Sequence, residues 1–343
     1  MDSNTLILRR LFCCLALVLL FSTSALSKTS VVVFPVSAEL DNVITVAKKG
    51  GDYTRITDAL KSIPDSGDSS GISGEKHLIV IAPGTYFPKE TLILKPNVHL
   101  VGSGHGTTVI KSIVDNKFQN TTTGTNTVVE LKSFSKVSNL TLIATVTGAL
   151  SAQAFGNEAQ SNRIEINNVR ASISSSGGTA IGIHTSSDVT VRDSIISVQG
   201  NQKSYGVIGG RDGLPTENFF IDSAFHLNGG SQECIGVWEK FGSDIQTTTL
   251  NGVYIGDGLP TLDVALNNTA NSCVAIKAFG AHIRIQNSTI KGDVVSEKDF
   301  GITPELVISQ SILTGTATGN GTLRCLNSNN SEHPLNRNCL APD

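Results

Sequence analysis

Three side chains at one position of a repeat could build a recognition surface: His184, Trp238 and Lys277. Each stands two residues after the small residue of an echoing segment. The four segments are Ala180-Ile181-Gly182-Ile183, Ser204-Tyr205-Gly206-Val207, Cys234-Ile235-Gly236-Val237 and Cys273-Val274-Ala275-Ile276. Ile208 occupies the fourth such position. If these segments are strands, alternation points the large residues inward and the small ones outward. The outer side is then a smooth strip of Gly182, Gly206, Gly236 and Ala275 beside Trp238, the chain's one tryptophan. A flat strip next to an aromatic ring suits stacking against a sugar ring. The loops just after two of the segments add Arg211 and Asp212, then Glu239 and Lys240. Arg211, Asp212 and Glu239 are the candidate catalytic groups. His184, Trp238, Lys240 and Lys277 are the candidate ligand contacts. No CxxC or histidine-rich spacing suggests a metal site, and no cofactor motif is present. Gly102-Ser103-Gly104-His105-Gly106 has the look of a phosphate loop but lacks the strand-to-helix setting.

The elements that must hold these residues follow from the repeat. The small residues at 182, 206, 236 and 275 are 24, 30 and 39 residues apart, which is the scale of a coil that stacks on its own copies. A second motif, apolar-x-apolar-x-Asn/Asp/Gln-small, recurs through Val189-Thr190-Val191-Arg192-Asp193-Ser194, Ile283-Arg284-Ile285-Gln286-Asn287-Ser288 and Leu306-Val307-Ile308-Ser309-Gln310-Ser311. Each coil therefore carries at least two strands, and one apolar set per strand points inward. Ile56, Ala59, Leu60 and Ile63 have helical spacing ahead of Pro64, predicting a short helix that caps one end. A coil cannot bury its inner face alone, but stacking does. The expected fold is all-β, a single right-handed parallel β-helix over 43–315, with a tail or cap over 316–343. A sandwich or propeller is the competing fold, but Asn228-Gly229 and Asn251-Gly252 fall at coil corners rather than between hairpin strands.

Composition agrees. Charged residues are 16% and aromatics 5% of 343 residues, with 33 Gly, a mixture suited to strands and tight turns. The net charge of −3 argues against a nucleic-acid partner. Arg9 and Arg10 precede the apolar run Leu11–Phe21 and the small-residue stretch Ser22–Ser27, so 1–27 reads as a secretory signal and 28–42 as a flexible lead-in. The run is too short for a normal membrane span. With Cys13 and Cys14 in the signal, Cys234, Cys273, Cys325 and Cys339 remain, an even set in an exported chain. Cys325 and Cys339 would close the polar tail. Cys234 and Cys273 sit at equivalent outward positions on neighbouring coils, either bonded or as a reduced stacked pair. A secreted, periplasmic or cell-surface monomer is expected.

Ile44-Thr45-Val46-Ala47, Gly51-Asp52-Tyr53, the Ile56–Pro64 segment, Val80-Ile81-Ala82-Pro83-Gly84-Thr85-Tyr86 and Val98-His99-Leu100-Val101-Gly102 carry a resemblance. This block resembles the pectin-lyase-like superfamily, and within it the pectinesterases. The resemblance implies a β-helix whose chemistry lies on consecutive coils and whose partner is a pectin-like or other acidic polysaccharide. The family's Gln-Ala-Val-Ala-Leu segment falls on Thr179-Ala180-Ile181-Gly182-Ile183, so Thr179 replaces its first Gln. Gln-Asp-Thr-Leu falls near Ser204-Tyr205-Gly206-Val207, which has no Asp. Asp-Phe-Ile-Phe-Gly falls on Cys234-Ile235-Gly236-Val237-Trp238, so Cys234 takes the nucleophilic Asp position. Ester hydrolysis of this kind needs two carboxylates, and these positions do not provide them. The implied function is an exported pectinesterase-like β-helix that binds or acts on a polysaccharide and lacks the usual esterase pair. The alternatives are an active carbohydrate esterase, lyase or hydrolase with other residues, and a non-catalytic surface or structural β-helix.

Overall fold

The computed structural model describes residues 42–65, 74–115, 118, 126–147, 150–157, 163–210, 216–239, 247–257, 273–298, 303–330, 333–336 and 338–339. Within these residues the strands pair in parallel ladders, with each strand bonded to its equivalent one coil later. A central coil consists of Val189–Arg192, Ile195–Gly200 and Lys203–Gly209. The first two kinds of strand join in an 18-stranded sheet, and the third kind forms a separate nine-stranded sheet. The result is a right-handed parallel β-helix, the hand that parallel crossovers take.

The interior is built from columns of equivalent residues. One runs Ile44, Ile79, Leu100, Val137, Ile166, Val191, Phe220, Leu250, Ile285, Ile308, Cys325. Its members from Ile79 to Ile308 are fully buried. Each rung covers the apolar face of the one before, which is why no coil is stable alone. Cys325 ends this column and is bonded to Cys339, a 14-residue loop worth about 3 kcal/mol in the loop-closure picture. At the other end, helix α1 (Ile56–Ser62) buries Ile56, Ala59 and Leu60. It packs beside the strands Asn42–Val46 and Leu92–Ile93, as the 56–63 spacing predicts. The stack extends beyond residue 315. Ala317–Gly319 and Thr322–Leu326 pair with the preceding coil, and their polar Thr/Gly sequence hid them. Among the described residues no helix is long and apolar enough to cross a membrane.

The Asn/Asp/Gln-small motif makes the corner of the large sheet. Asn168, Asp193, Asp222, Asn287, Gln310 and Asn327 all have φ between 47° and 50°, the left-handed region that Asn and Asp tolerate best. A serine follows all of them but Asn168, which precedes Val169, and it turns inward. Ser194 Oγ donates to Arg192 O at 2.7 Å and accepts Val169 N–H at 3.1 Å. Ser223 Oγ donates to Ile221 O at 2.8 Å and accepts Ser194 N–H at 3.2 Å. Ser288, Ser311 and Ser328 repeat the arrangement. One hydroxyl thus satisfies a buried carbonyl on its own rung and a buried N–H on the preceding rung.

Candidate functional site

The nine-stranded sheet carries the echo. Its strands Thr179–His184, Lys203–Gly209, Glu233–Glu239 and Val274–Phe279 are neighbours. His184, Ile208, Trp238 and Lys277 fall in one column, as their spacing predicts. The orientation of the small residues is the reverse of the expectation. A Cβ on Gly182 would lie 2.5 Å from Ile196 Cγ2, and one on Gly236 2.5 Å from Ile255 Cγ2. Both contacts are core residues of the large sheet. Ile183, Val207, Val237 and Ile276 are also in the core. Two successive residues therefore face inward on each rung, and simple alternation fails at the glycine. Glycine is needed because the next rung's backbone passes only 2.4–2.5 Å from the Cβ position of Gly182, Gly206 and Gly236.

The outer side of this sheet is consequently apolar rather than smooth, and its middle is covered, with Ile181, Tyr205 and Ile235 buried. Ile181, Tyr205 and Ile235 form a cluster separate from the main core, with Ile208, Trp238 and Val274 packed on it. Tyr205 and Trp238 stack with ring centroids 5.3 Å apart and planes 28° apart. On the next rung Lys277 Nζ lies 5.9 Å from the Trp238 ring and 5.1 Å from Phe279. Tyr205 Oη donates to Glu233 Oε2 at 2.5 Å. Lys203 and Lys277 approach the same carboxylate at 3.6 and 3.9 Å. Burial first, then the hydrogen bond and charge of Glu233, push the Tyr205 hydroxyl up, so it remains a donor. Two cations around one carboxylate leave this patch net positive.

A polar row adjoins it. Gln153 is fully buried and its Nε2 donates to Thr127 Oγ1 at 2.7 Å. Its Oε1 therefore faces His184 Nδ1, at 3.1 Å. An amide oxygen only accepts, so Nδ1 carries the proton, and in the neutral ring Nε2 is the basic nitrogen. Gln153 was missed from sequence, although Gln153-Ala154-Phe155 stands one strand ahead of the echo and opens as the resemblance requires. Tyr205, Lys203 and Glu233 were missed because alternation with outward glycines placed Tyr205 inside.

The remaining candidates divide. Glu239 does not face this surface. It is fully buried at a strand end, accepting from Thr248 Oγ1 at 2.5 Å and Asn218 Nδ2 at 3.3 Å, because it follows Trp238 by one residue and turns inward. Arg211, Asp212 and Lys240 lie outside the described residues. Cys234 and Cys273 are bonded, with Cα atoms 4.7 Å apart. The pair faces inward against the core, not outward, because Cys234 aligns with buried Ala180 and Ser204. Two other carboxylates of this sheet are engaged: Glu130 with Lys132 at 2.7 Å, and Asp293 with the N–H and hydroxyl of Thr316. Those two donors, the N–H first, hold Asp293 below the usual carboxylate range. Among the described residues no three His, Cys, Asp or Glu side chains converge on a metal position.

No protein-family profile and no curated protein matches the sequence. Solved structures do resemble it. A pectin methylesterase from Aspergillus niger is 14% identical, with 86% of each chain covered and a TM-score of 0.47. The A-module of the mannuronan C-5 epimerase AlgE6 from Azotobacter vinelandii is 15% identical, covering 80% of this chain and 88% of its own, at 0.41. The pectin methylesterase PemA from Erwinia chrysanthemi is 11% identical, covering 87% and 92%, at 0.42. The fold described above rests on this chain's own strand pairing.

Proposed function

We propose that this chain is an exported β-helix protein that binds an acidic polysaccharide along the outer face of the small sheet, without the carboxylate pair of an esterase. The observation that carries this reading is the run Tyr205, Trp238, Lys277 on successive rungs, bordered by Lys203 and Glu233. Tyr205 holds one side of the indole. Lys277 lies near the ring on a flexible stem, where an anionic sugar can draw it aside. The sugar ring then meets Trp238 while its carboxylate pairs with Lys277, combining stacking with charge. His184 extends the same column and offers a hydrogen bond. One chain supplies every member, so a monomer suffices. Two disulfides in the described residues and the leader-like 1–27 support export.

Affinity electrophoresis in polygalacturonate gels tests the reading. Trp238→Ala is expected to weaken retention about tenfold, the loss of roughly 1.4 kcal/mol of contact. Lys277→Met should weaken it less and flatten its salt dependence. Wild-type mobility for both variants would remove the proposed face. Release of methanol from methyl-esterified pectin, or absorbance from an unsaturated product, would replace binding with catalysis.

A further inference from the structure

The N-terminal end of the stack holds a cavity of about 220 Å³ that plays no part in the surface described above. Tyr86 lies on the large sheet, four rungs before Ile195–Gly200. At about 4.8 Å per rung that is roughly 19 Å along the axis. Lys48, Thr54, Arg55, Thr57, Tyr86 and Phe87 line it. We propose that this cavity binds a carboxylate attached to a six-membered ring.

Three features carry the assignment. First, Lys48 Nζ is held 4.7 Å from the centroid of the Tyr86 ring. The Tyr86 hydroxyl is itself anchored, donating to Ala82 O at 2.9 Å, so the ammonium has a fixed aromatic support. Second, Arg55 adds another cation. Among the described residues it is paired with Asp58, at 3.7 Å on an exposed side chain, and the lining itself holds Lys48 and Arg55 and no acid, so it keeps a positive balance. Third, Phe87 is 63% exposed, the most exposed aromatic side chain among the described residues. Strand alternation buries Tyr86 and turns Phe87 out at the cavity edge. A bare ring beside two cations matches a ligand with an apolar ring face and one negative group. The hydroxyls of Thr54 and Thr57 supply hydrogen bonds to ring substituents or to the carboxylate. A cavity of this size takes one ring, below the range of larger ligands. A uronic acid unit and an aromatic acid share this chemistry. The proposal does not depend on polysaccharide binding at Trp238.

Titration of the whole chain with galacturonate, benzoate and galactose, followed by calorimetry, tests it. At least one of the two acids should bind, and galactose should not. Galacturonate alone assigns the site to a sugar acid, benzoate alone to an aromatic acid, and both together to the carboxylate and ring as such. Measured in the Trp238→Ala background, so that the small-sheet face contributes nothing to the signal, Lys48→Met should weaken binding at least tenfold and Phe87→Ala about fivefold. Lys48 and Phe87 are exposed, so thermal unfolding should match the wild type and keep the comparison clean. Absence of binding by both acids at millimolar concentration would overturn the proposal. So would equal affinity in Lys48→Met and Phe87→Ala.

Discussion

At the corner of the large sheet, Ser194, Ser223, Ser288, Ser311 and Ser328 occupy one position on different rungs. On the outer face of the small sheet, one column reads Thr127, Gln153, Ile181, Tyr205, Ile235, Val274. Both sets ride on the same coils. They differ in what each rung asks of its neighbour. A corner serine must satisfy a buried N–H on the preceding rung and a carbonyl on its own, so the same residue returns. An outer residue needs only a side-by-side contact, so its chemistry can change from rung to rung. Repetition therefore marks one bonding duty shared by the rungs, and departure from it marks positions whose partners differ from rung to rung, even where, as at Thr127, Gln153, Ile181, Tyr205 and Ile235, the side chain is buried.

The sharpest break is Gly236→Val. Its Cβ would lie 2.4 Å from Ala275 O and 2.5 Å from Ile255 Cγ2. Backbone on one side and core on the other leave little room to yield. A loss on the order of 3 kcal/mol or more is expected in chemical denaturation. If the glycines faced outward, as alternation predicts, valine would be tolerated with little change. Ser223→Ala comes next. It removes the acceptor of Ser194 N–H and the hydroxyl donor to Ile221 O, inside a corner where Ser223 is 4% exposed. Leaving a buried N–H unsatisfied costs about 2 kcal/mol. An unchanged denaturation midpoint would show that the repeated serine is dispensable.

The same contrast explains what was legible in the sequence. The corner motif and the inner columns obey one rule at most rungs, with Val169 and Val253 as exceptions at the serine position, so Asp193-Ser194, Asn287-Ser288 and Gln310-Ser311 declare the fold without coordinates. Cys325 and Cys339 were readable for a similar reason, as the polar tail offers few other ways to close. The site was less legible. Which side Tyr205 faces depends on Gly206 and Val207 both turning inward, a backbone irregularity that composition does not encode. Glu239 looked available because Trp238 was correctly placed outside, yet one residue later the strand has turned into the interior. The Gln153–His184 contact joins residues 31 apart in sequence. It becomes visible only once Ala152–Asn157 and Thr179–His184 are known to be neighbours.

The outer side of the large sheet offers the finest test, because it separates two explanations of the contrast. Its column reads His99, Lys136, Glu165, Thr190, Phe219, Thr249, Arg284, Val307, Arg324. It is as varied as the small-sheet face, so variety follows from facing outward and not from belonging to one sheet. Yet facing outward does not make a residue energetically neutral. Burial first, and then the Lys136 charge, hold the His99 imidazole below its ordinary value, while Glu165 acts in the opposite direction. Between the unfolded value near 6.5 and the lowered folded value, the unfolded chain binds more protons. Stability must then fall as pH drops from 7 toward and through that window. His99→Gln should flatten this part of the stability–pH curve with little change at pH 8, the smallest effect in the series. An identical slope would mean that this outward rung is indifferent to its occupant. A flatter slope would show that variable positions also carry local electrostatic constraints, set by the residues one rung to either side.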